Sequence, residues 1–332
     1  MINLYDSARA LVVKGKGMLA ADETVGHTDS YLKEHGIEGG EEMRRAYREM
    51  LFGTEGLSDY ITGVIMFEGS LSEKTIEGVF FPELLLKKNI VPGVKVDQGL
   101  DPFPEGGDES ITKGLIGLPE RLQQFVSKHH TGFTKWRSVV KIDGTKLPTA
   151  QTLLENSKRL ASYAMEVQKA GMVPLVEPEM LLKGTHSRLR AKEVLKDTLT
   201  MLVNSMEDQA VDMSGVIIKT SMVLSGKESG VKDTPEEVAE ATMSVLLSTV
   251  PKDIPGIVFL SGGQSPDQAT ENLRAISKRA KTLAAPWPLT FCYARALQEE
   301  AITIWKGKPE NVPAAREAFL ARLKKVTEAL EG

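Results

Sequence analysis

The chain has 332 residues, 41% of them hydrophobic, and 41 Lys and Arg against 45 Asp and Glu give a formal net charge of −4. That balance argues against a sequence-independent nucleic-acid surface, although a local basic pocket remains compatible with it. No apolar run approaches the ~20 residues a membrane span needs, so a soluble protein is expected.

The first strand candidate is GMLAAD at 17–22. The stretch before it, MINLYDSARALVVKGKG, lacks a long apolar core and a clear cleavage site, so no signal peptide is expected. ITGVIMF (61–67), VPGVKV (91–96) and KWRSVVKI (135–142) follow, then MVPLVE (172–177), GVIIK (215–219), GIVFLS (256–261) and WPLTFCY (287–293). Their starts lie 30–44 residues apart, the size of a strand–helix unit in a (β/α)8 barrel.

Between the strands stand helix signals. The segment 97–114, rich in Gly, Pro and acidic residues, reads as a surface excursion. In 148–170, Leu153, Leu154, Leu160, Tyr163 and Ala164 keep an apolar helical face. Thr234-Pro235-Glu236-Glu237 has the form of a capping box, and Ser265-Pro266-Asp267-Gln268 repeats the device. After the eighth strand come helices near 294–306 and 312–330. In the second of these, Phe319, Leu323, Val326 and Leu330 should pack on the outside of the barrel.

No low-complexity tract or linker interrupts the pattern. The expectation is therefore an α/β fold: one (β/α)8 TIM-barrel domain over 1–332 with an additional C-terminal helix. A doubly wound dinucleotide-binding sheet would need a glycine-rich turn after the first strand, where Ala-Asp-Glu-Thr stands instead. Cys292, the single cysteine, cannot form an internal disulfide, so a reducing, cytoplasmic setting is expected. Within its strand it reads as a small buried hydrophobe.

In a barrel, function gathers where strands end. Those positions hold Asp22, Lys95, Glu177, Lys219, Ser261 and Arg295. On the fourth strand, alternation puts Lys135, Arg137, Val139 and Lys141 on one face, and Trp136, Ser138, Val140 and Ile142 on the other. The apolar set suits the surrounding helices, so the cations should point inward, facing Asp22, Glu177 and Glu179 or an anionic ligand. An internal salt-bridge network without catalysis is the plainer account of that strand. A rim lysine reaching solvent is the plainer account of Lys219 taken alone.

Taken together, the set suits amine chemistry. A partly desolvated Lys219 beside Lys135 and Arg137 should have a lowered pKa, and its neutral amine could attack a carbonyl to form a Schiff base. Carboxyl groups are then needed to move protons, and Glu177 and Asp22 are in position for this. Ser261-Gly262-Gly263, between the seventh strand and a capped helix, suits a phosphate, with Arg295 as a charged donor. The five histidines form no paired ligand spacing, so no metal is expected.

GKGMLAADET (15–24), GVKVDQG (93–99), TKWRSVVKI (134–142), MVPLVEPEML (172–181), GIVFLSGGQS (256–265) and LTFCYARALQ (289–298) together resemble class I fructose-1,6-bisphosphate aldolase over nearly the whole chain. The resemblance implies reversible cleavage of the sugar bisphosphate to dihydroxyacetone phosphate and glyceraldehyde 3-phosphate, without metal or other cofactor. It implies Lys219 as the Schiff-base lysine, Glu177 as the proton-transfer glutamate and Asp22 as the aspartate at the scissile bond. Lys135 is the supporting cation, and Glu179 the second glutamate of the VEPE stretch. Lys95 would meet the distal phosphate, and Ser261, Gly262 and Arg295 the proximal one.

The resemblance also implies a homo-oligomer, tetramers being common among the relatives, and it assigns no interface. Ser214, Thr220, Ser221, Cys292, Ala294, Val25 and His27 depart from the usual family pattern. The alternatives are another Schiff-base aldolase or transaldolase acting on a related sugar phosphate, such as sedoheptulose 1,7-bisphosphate, or a catalytically silent binding barrel.

Overall fold

The computed structural model describes residues 3–104 and 107–332. In chain order the strands are β1 (Gly17–Ala21), β2 (Ile61–Met66), β3 (Val91–Lys95), β4 (Leu100–Phe103), β5 (Glu109–Thr112), β6 (Phe133–Val140), β7 (Val173–Met180), β8 (Ile217–Thr220), β9 (Gly256–Phe259) and β10 (Leu289–Tyr293). Eight of them pair in parallel and close in the order β1-β10-β9-β8-β7-β6-β3-β2. They are the eight expected strands.

The remaining two, β4 and β5, form an antiparallel hairpin inside 97–114, the expected surface excursion, for which no strands were expected. Its Gly and Pro content hid two short strands. The hairpin is pinned from outside. Thr112 Oγ1 donates to the Arg137 carbonyl at 2.9 Å, and Glu109 accepts from Thr149 and Thr152 at the start of the helix that follows β6.

The helices are α1 (Leu4–Leu11), α2 (Val25–Glu34), α3 (Glu41–Phe52), α4 (Phe81–Lys87), α5 (Leu118–His129), α6 (Ala150–Lys169), α7 (Arg188–Asp208), α8 (Pro235–Thr249), α9 (Pro266–Thr282), α10 (Arg295–Trp305) and α11 (Val312–Ala329). The Thr234–Glu237 box is complete, each side chain accepting from the other residue's amide. Ser265 caps α9 through the Gln268 amide alone. On α11, Phe319, Leu323 and Val326 are fully buried, as their spacing predicts. On α6, Leu154 departs from the expected face. It is 42% exposed, because consecutive helical residues point 100° apart and Leu153 takes the inward direction.

Alternation along the strands builds the bore in layers. Phe133, Leu175, Ile217, Ala20 and Cys292 share one apolar interior cluster. Two residues on from the first four stand Lys135, Glu177, Lys219 and Asp22, one layer nearer the C-terminal mouth. Glycine makes room for the bulkiest member of the lower layer: a Cβ on Gly93 would lie 2.3 Å from the Phe133 ring. Beneath, Ala8, Leu11 and Val12 from α1 and its end join the same cluster and seal the opposite end of the barrel.

Candidate active site

Two carboxylates and two ammonium groups form the centre. Asp22, Lys135, Glu177 and Lys219 are each less than a tenth exposed. Lys135 Nζ donates to Asp22 Oδ2 at 2.8 Å and lies 2.8 Å from Glu177 Oε2. Lys219 Nζ lies 2.7 Å from Glu177 Oε1. The Lys135–Oε2 approach is close enough for an ion pair but lacks hydrogen-bond geometry, so Oε2 is a buried oxygen without a hydrogen-bond donor among the described residues.

The expected depression of the Lys219 pKa is not what the geometry produces. Burial favours the neutral amine, but the Cys292 sulfur, Glu177 and Asp22 together outweigh it, and the net direction is upward. Burial also pushes the Cys292 thiol up, to about 11. Sequence counted Lys135 and Arg137 as neighbouring cations. Lys135, paired with Asp22 and Glu177, does work downward on Lys219 but is outweighed, and Arg137 is held in an ion pair with Glu179. Burial raises the carboxyl pKa of both Glu177 and Asp22, yet Lys135 and Lys219 outweigh it and hold both below the ordinary range. Resting Lys219 is therefore an ammonium clasped to Glu177.

Lys141, expected to face inward with the other β6 cations, is exposed, because β6 ends at Val140 and the alternation ends with it. Trp136 faces the helices as expected, its ring 5.3 Å from that of Tyr163.

Around the centre opens a cleft of about 1350 Å³. It gathers all eleven sequence-predicted residues: Asp22, Lys95, Lys135, Arg137, Glu177, Glu179, Lys219, Ser261, Gly262, Gly263 and Arg295. Gly262 and Gly263 both have positive φ, +49° and +85°, so the turn after β9 takes a left-handed path that exposes its amides. Gln264 braces this turn, its amide and its Nε2 both donating to the Ser261 carbonyl. Lys95 reaches the cleft but pairs with Asp97, whose other oxygen accepts from the Arg137 amide at 3.2 Å.

Sequence reading missed several members of the wall. Glu23, Thr24, His27, Asp97, Lys227 and Glu299 all line it. Glu23 follows Asp22 directly, and that adjacency was the available signal. Its half-buried carboxyl is pushed up to about 7, first by desolvation and then by the charge of Asp22. The others lie in loops or on helix turns, where spacing carries no facing information. Among the described residues no three His, Cys, Asp or Glu converge as metal ligands would, and no helix is long and apolar enough to cross a membrane.

Comparison with known proteins agrees with this geometry. The chain is 43% identical to fructose-bisphosphate aldolase C of Pan troglodytes over 96% of its own length and 87% of the relative's. It is 41% identical to a probable fructose-bisphosphate aldolase class 1 of Xanthomonas axonopodis pv. citri, over 97% and 95% of the two chains. A solved structure of fructose-bisphosphate aldolase from Plasmodium falciparum, in complex with TRAP and a small-molecule inhibitor, superposes with a TM-score of 0.95. That match has 40% identity and covers 98% of this chain and 93% of the other. With a family model matching residues 3–332 as well, the chain belongs to the class-I fructose-bisphosphate aldolase family.

Proposed function

We propose that the chain cleaves fructose 1,6-bisphosphate reversibly through a Schiff base on Lys219, as a carbon–carbon lyase of glycolysis and gluconeogenesis. The observation that carries this reading is the buried contact of 2.7 Å between Lys219 Nζ and Glu177 Oε1, with Lys135 Nζ 2.8 Å from the other Glu177 oxygen. A lysine held as an ammonium must lose a proton before it attacks, and Glu177 is the acceptor within reach.

The steps follow from those positions. Lys219 Nζ adds to the C2 carbonyl of the open-chain ketose. Glu177 returns a proton to the resulting hydroxyl, water leaves, and the protonated imine forms. Asp22 takes the proton from the C4 hydroxyl, the C3–C4 bond breaks and its electron pair moves into the imine as an enamine. Glyceraldehyde 3-phosphate departs. Protonation at C3 and hydrolysis of the imine release dihydroxyacetone phosphate and restore the amine. Lys135, shared between Asp22 and Glu177, keeps both carboxylates ionised between proton transfers. Glu179 fixes Arg137 at the wall of the cleft.

The exposed amides of the turn at Ser261, Gly262 and Gly263, with Arg295, take the phosphate next to the ketone. Lys95 and Arg137 are nearer the other phosphate. The imine supplies the electron sink, so the reading calls for no metal or organic cofactor. One domain over 1–332, a cytoplasmic setting and a homo-oligomer complete the proposal.

Borohydride reduction in the presence of dihydroxyacetone phosphate tests it. A stable mass increase mapped to Lys219, and absent from Lys219→Met, is the expected result. Full trapping in that variant would remove Lys219 from the mechanism.

A further inference from the structure

Arg295 enters the cleft as an exposed cation at the start of α10 and takes part in none of the ion pairs formed by the described residues. What holds it is an aromatic face. Its guanidinium carbon sits 4.7 Å from the centre of the Tyr31 ring. Tyr31, on α2, is 2% exposed, so its ring has little freedom of its own. Its hydroxyl donates to Glu299 Oε2 at 2.9 Å, one turn along α10 from Arg295. The other Glu299 oxygen lies 3.3 Å from His35 Nε2, and His35 Nδ1 lies 2.9 Å from the Tyr31 carbonyl. The His35 and Tyr31 rings also meet edge to face at 4.7 Å. Arg295 and Glu299, one turn apart on α10, thus lock onto Tyr31 on α2 and His35 at its C-terminal cap.

We propose that Tyr31 is a positioning residue: its ring holds the Arg295 guanidinium at the phosphate pocket before substrate arrives and thereby sets the affinity for phosphorylated substrates. This rests on the reading of Arg295 as a phosphate donor given above. A free arginine loses extensive rotamer freedom when it binds an anion, and a stacked one has already lost most of it. The stack also suits the flat guanidinium better than an ammonium. Binding that is equal in ground and transition states appears in KM and leaves kcat unchanged.

The test is a double-mutant cycle on KM for fructose 1,6-bisphosphate, with inorganic phosphate as a competing probe. Tyr31→Met should raise KM between about two- and thirty-fold, the range of cation–π contributions, with kcat held. Tyr31→Phe, which keeps the ring, should stay within about twofold of the parent, below that range's upper part. In an Arg295→Gln background, Tyr31→Met should add nothing further. A merely structural tyrosine would raise KM equally in both backgrounds, and that result overturns the proposal, as does a Phe variant as impaired as the Met variant.

If Arg295→Gln leaves KM unchanged, the phosphate role of Arg295 fails first. If it raises KM while Tyr31→Met does not, only the positioning role fails. Should Tyr31→Met not fold, Tyr31→Leu decides, since it removes the ring and leaves the Arg295 guanidinium intact. Phosphate inhibition weakened several-fold supports the stack, and inhibition equal to the parent's refutes it.

Discussion

Replacing Lys135 by methionine isolates the electrostatics of the centre. The side chain is 4% exposed and nearly matched in volume, so little cavity opens. The resting centre holds two ammonium groups and two carboxylates, and the substitution leaves Asp22 and Glu177 to share Lys219. Removing one partner of a buried ion pair costs about 3–5 kcal/mol when the remaining charge stays buried. The carboxylates can relieve part of this by taking up a proton, so the loss should depend on pH.

In the parent protein both carboxyls lie below their ordinary values. Their stabilisation is present above the unfolded-state pKa and lost as pH falls through the folded one. In the variant at least one carboxyl rises above its unfolded value, and the sign reverses: stability should fall as pH rises from 5.5 to 8. If one carboxyl titrates across that whole window, the difference is at most about 3 kcal/mol, at 1.36 kcal/mol per pKa unit. Urea midpoints at the two pH values measure it. A variant equally destabilised at both, or more stable at pH 8, would show that Lys135 does not carry the burden assigned to it. Turnover in the folded variant should drop about 10²–10⁴-fold, the span of general acid–base catalysis.

Glu23 carries the opposite pH signature in the parent. Its folded pKa of about 7 lies above the ordinary glutamate value of 4.5, so unfolding releases a proton between those values and stability declines as pH rises through that window. Glu23→Gln should flatten that part of the profile of urea midpoint against pH; an unchanged slope would assign it elsewhere. Gly262→Ala should weaken the phosphate turn. A Cβ there meets Leu260 Cδ1 at 2.7 Å and φ is +49°, so a loss of about 1 kcal/mol in stability and a higher KM for phosphorylated substrates are expected. Unaltered KM and midpoint in that variant would count against the turn as an anion site.

The barrel was legible because each strand carries its own alternation and each α/β unit repeats at similar length. The centre was legible for the same reason: Asp22 and Lys219 stand at strand ends, Lys135 and Glu177 lie within β6 and β7, and alternation turns all four inward. Arg137 and Lys141 mark the limit, since the rule that turned the first inward gave the wrong direction for the second once β6 had ended. The direction of the Lys219 pKa was read downward because sequence shows the cations near a lysine but not the sulfur and carboxylates of Cys292, Glu177 and Asp22 that the fold sets against it. The stack of Arg295 on Tyr31 joins residues 264 positions apart on two helices, a relation set by how α2 and α10 pack and not by any local period. The β4–β5 hairpin was missed because four-residue strands with glycine and proline around them hold too few alternations to register.

The plug that α1 forms beneath the barrel has a consequence for traffic. Ala8, Leu11 and Val12 close that end with apolar side chains, so the bore is a blind well with a dry floor and one mouth. Sugar, water and both halves of the cleaved sugar must pass the same ring of charges. On the proposed Schiff-base route, the fragment still tethered to the lysine stays deepest, and the free aldehyde stands between it and the way out.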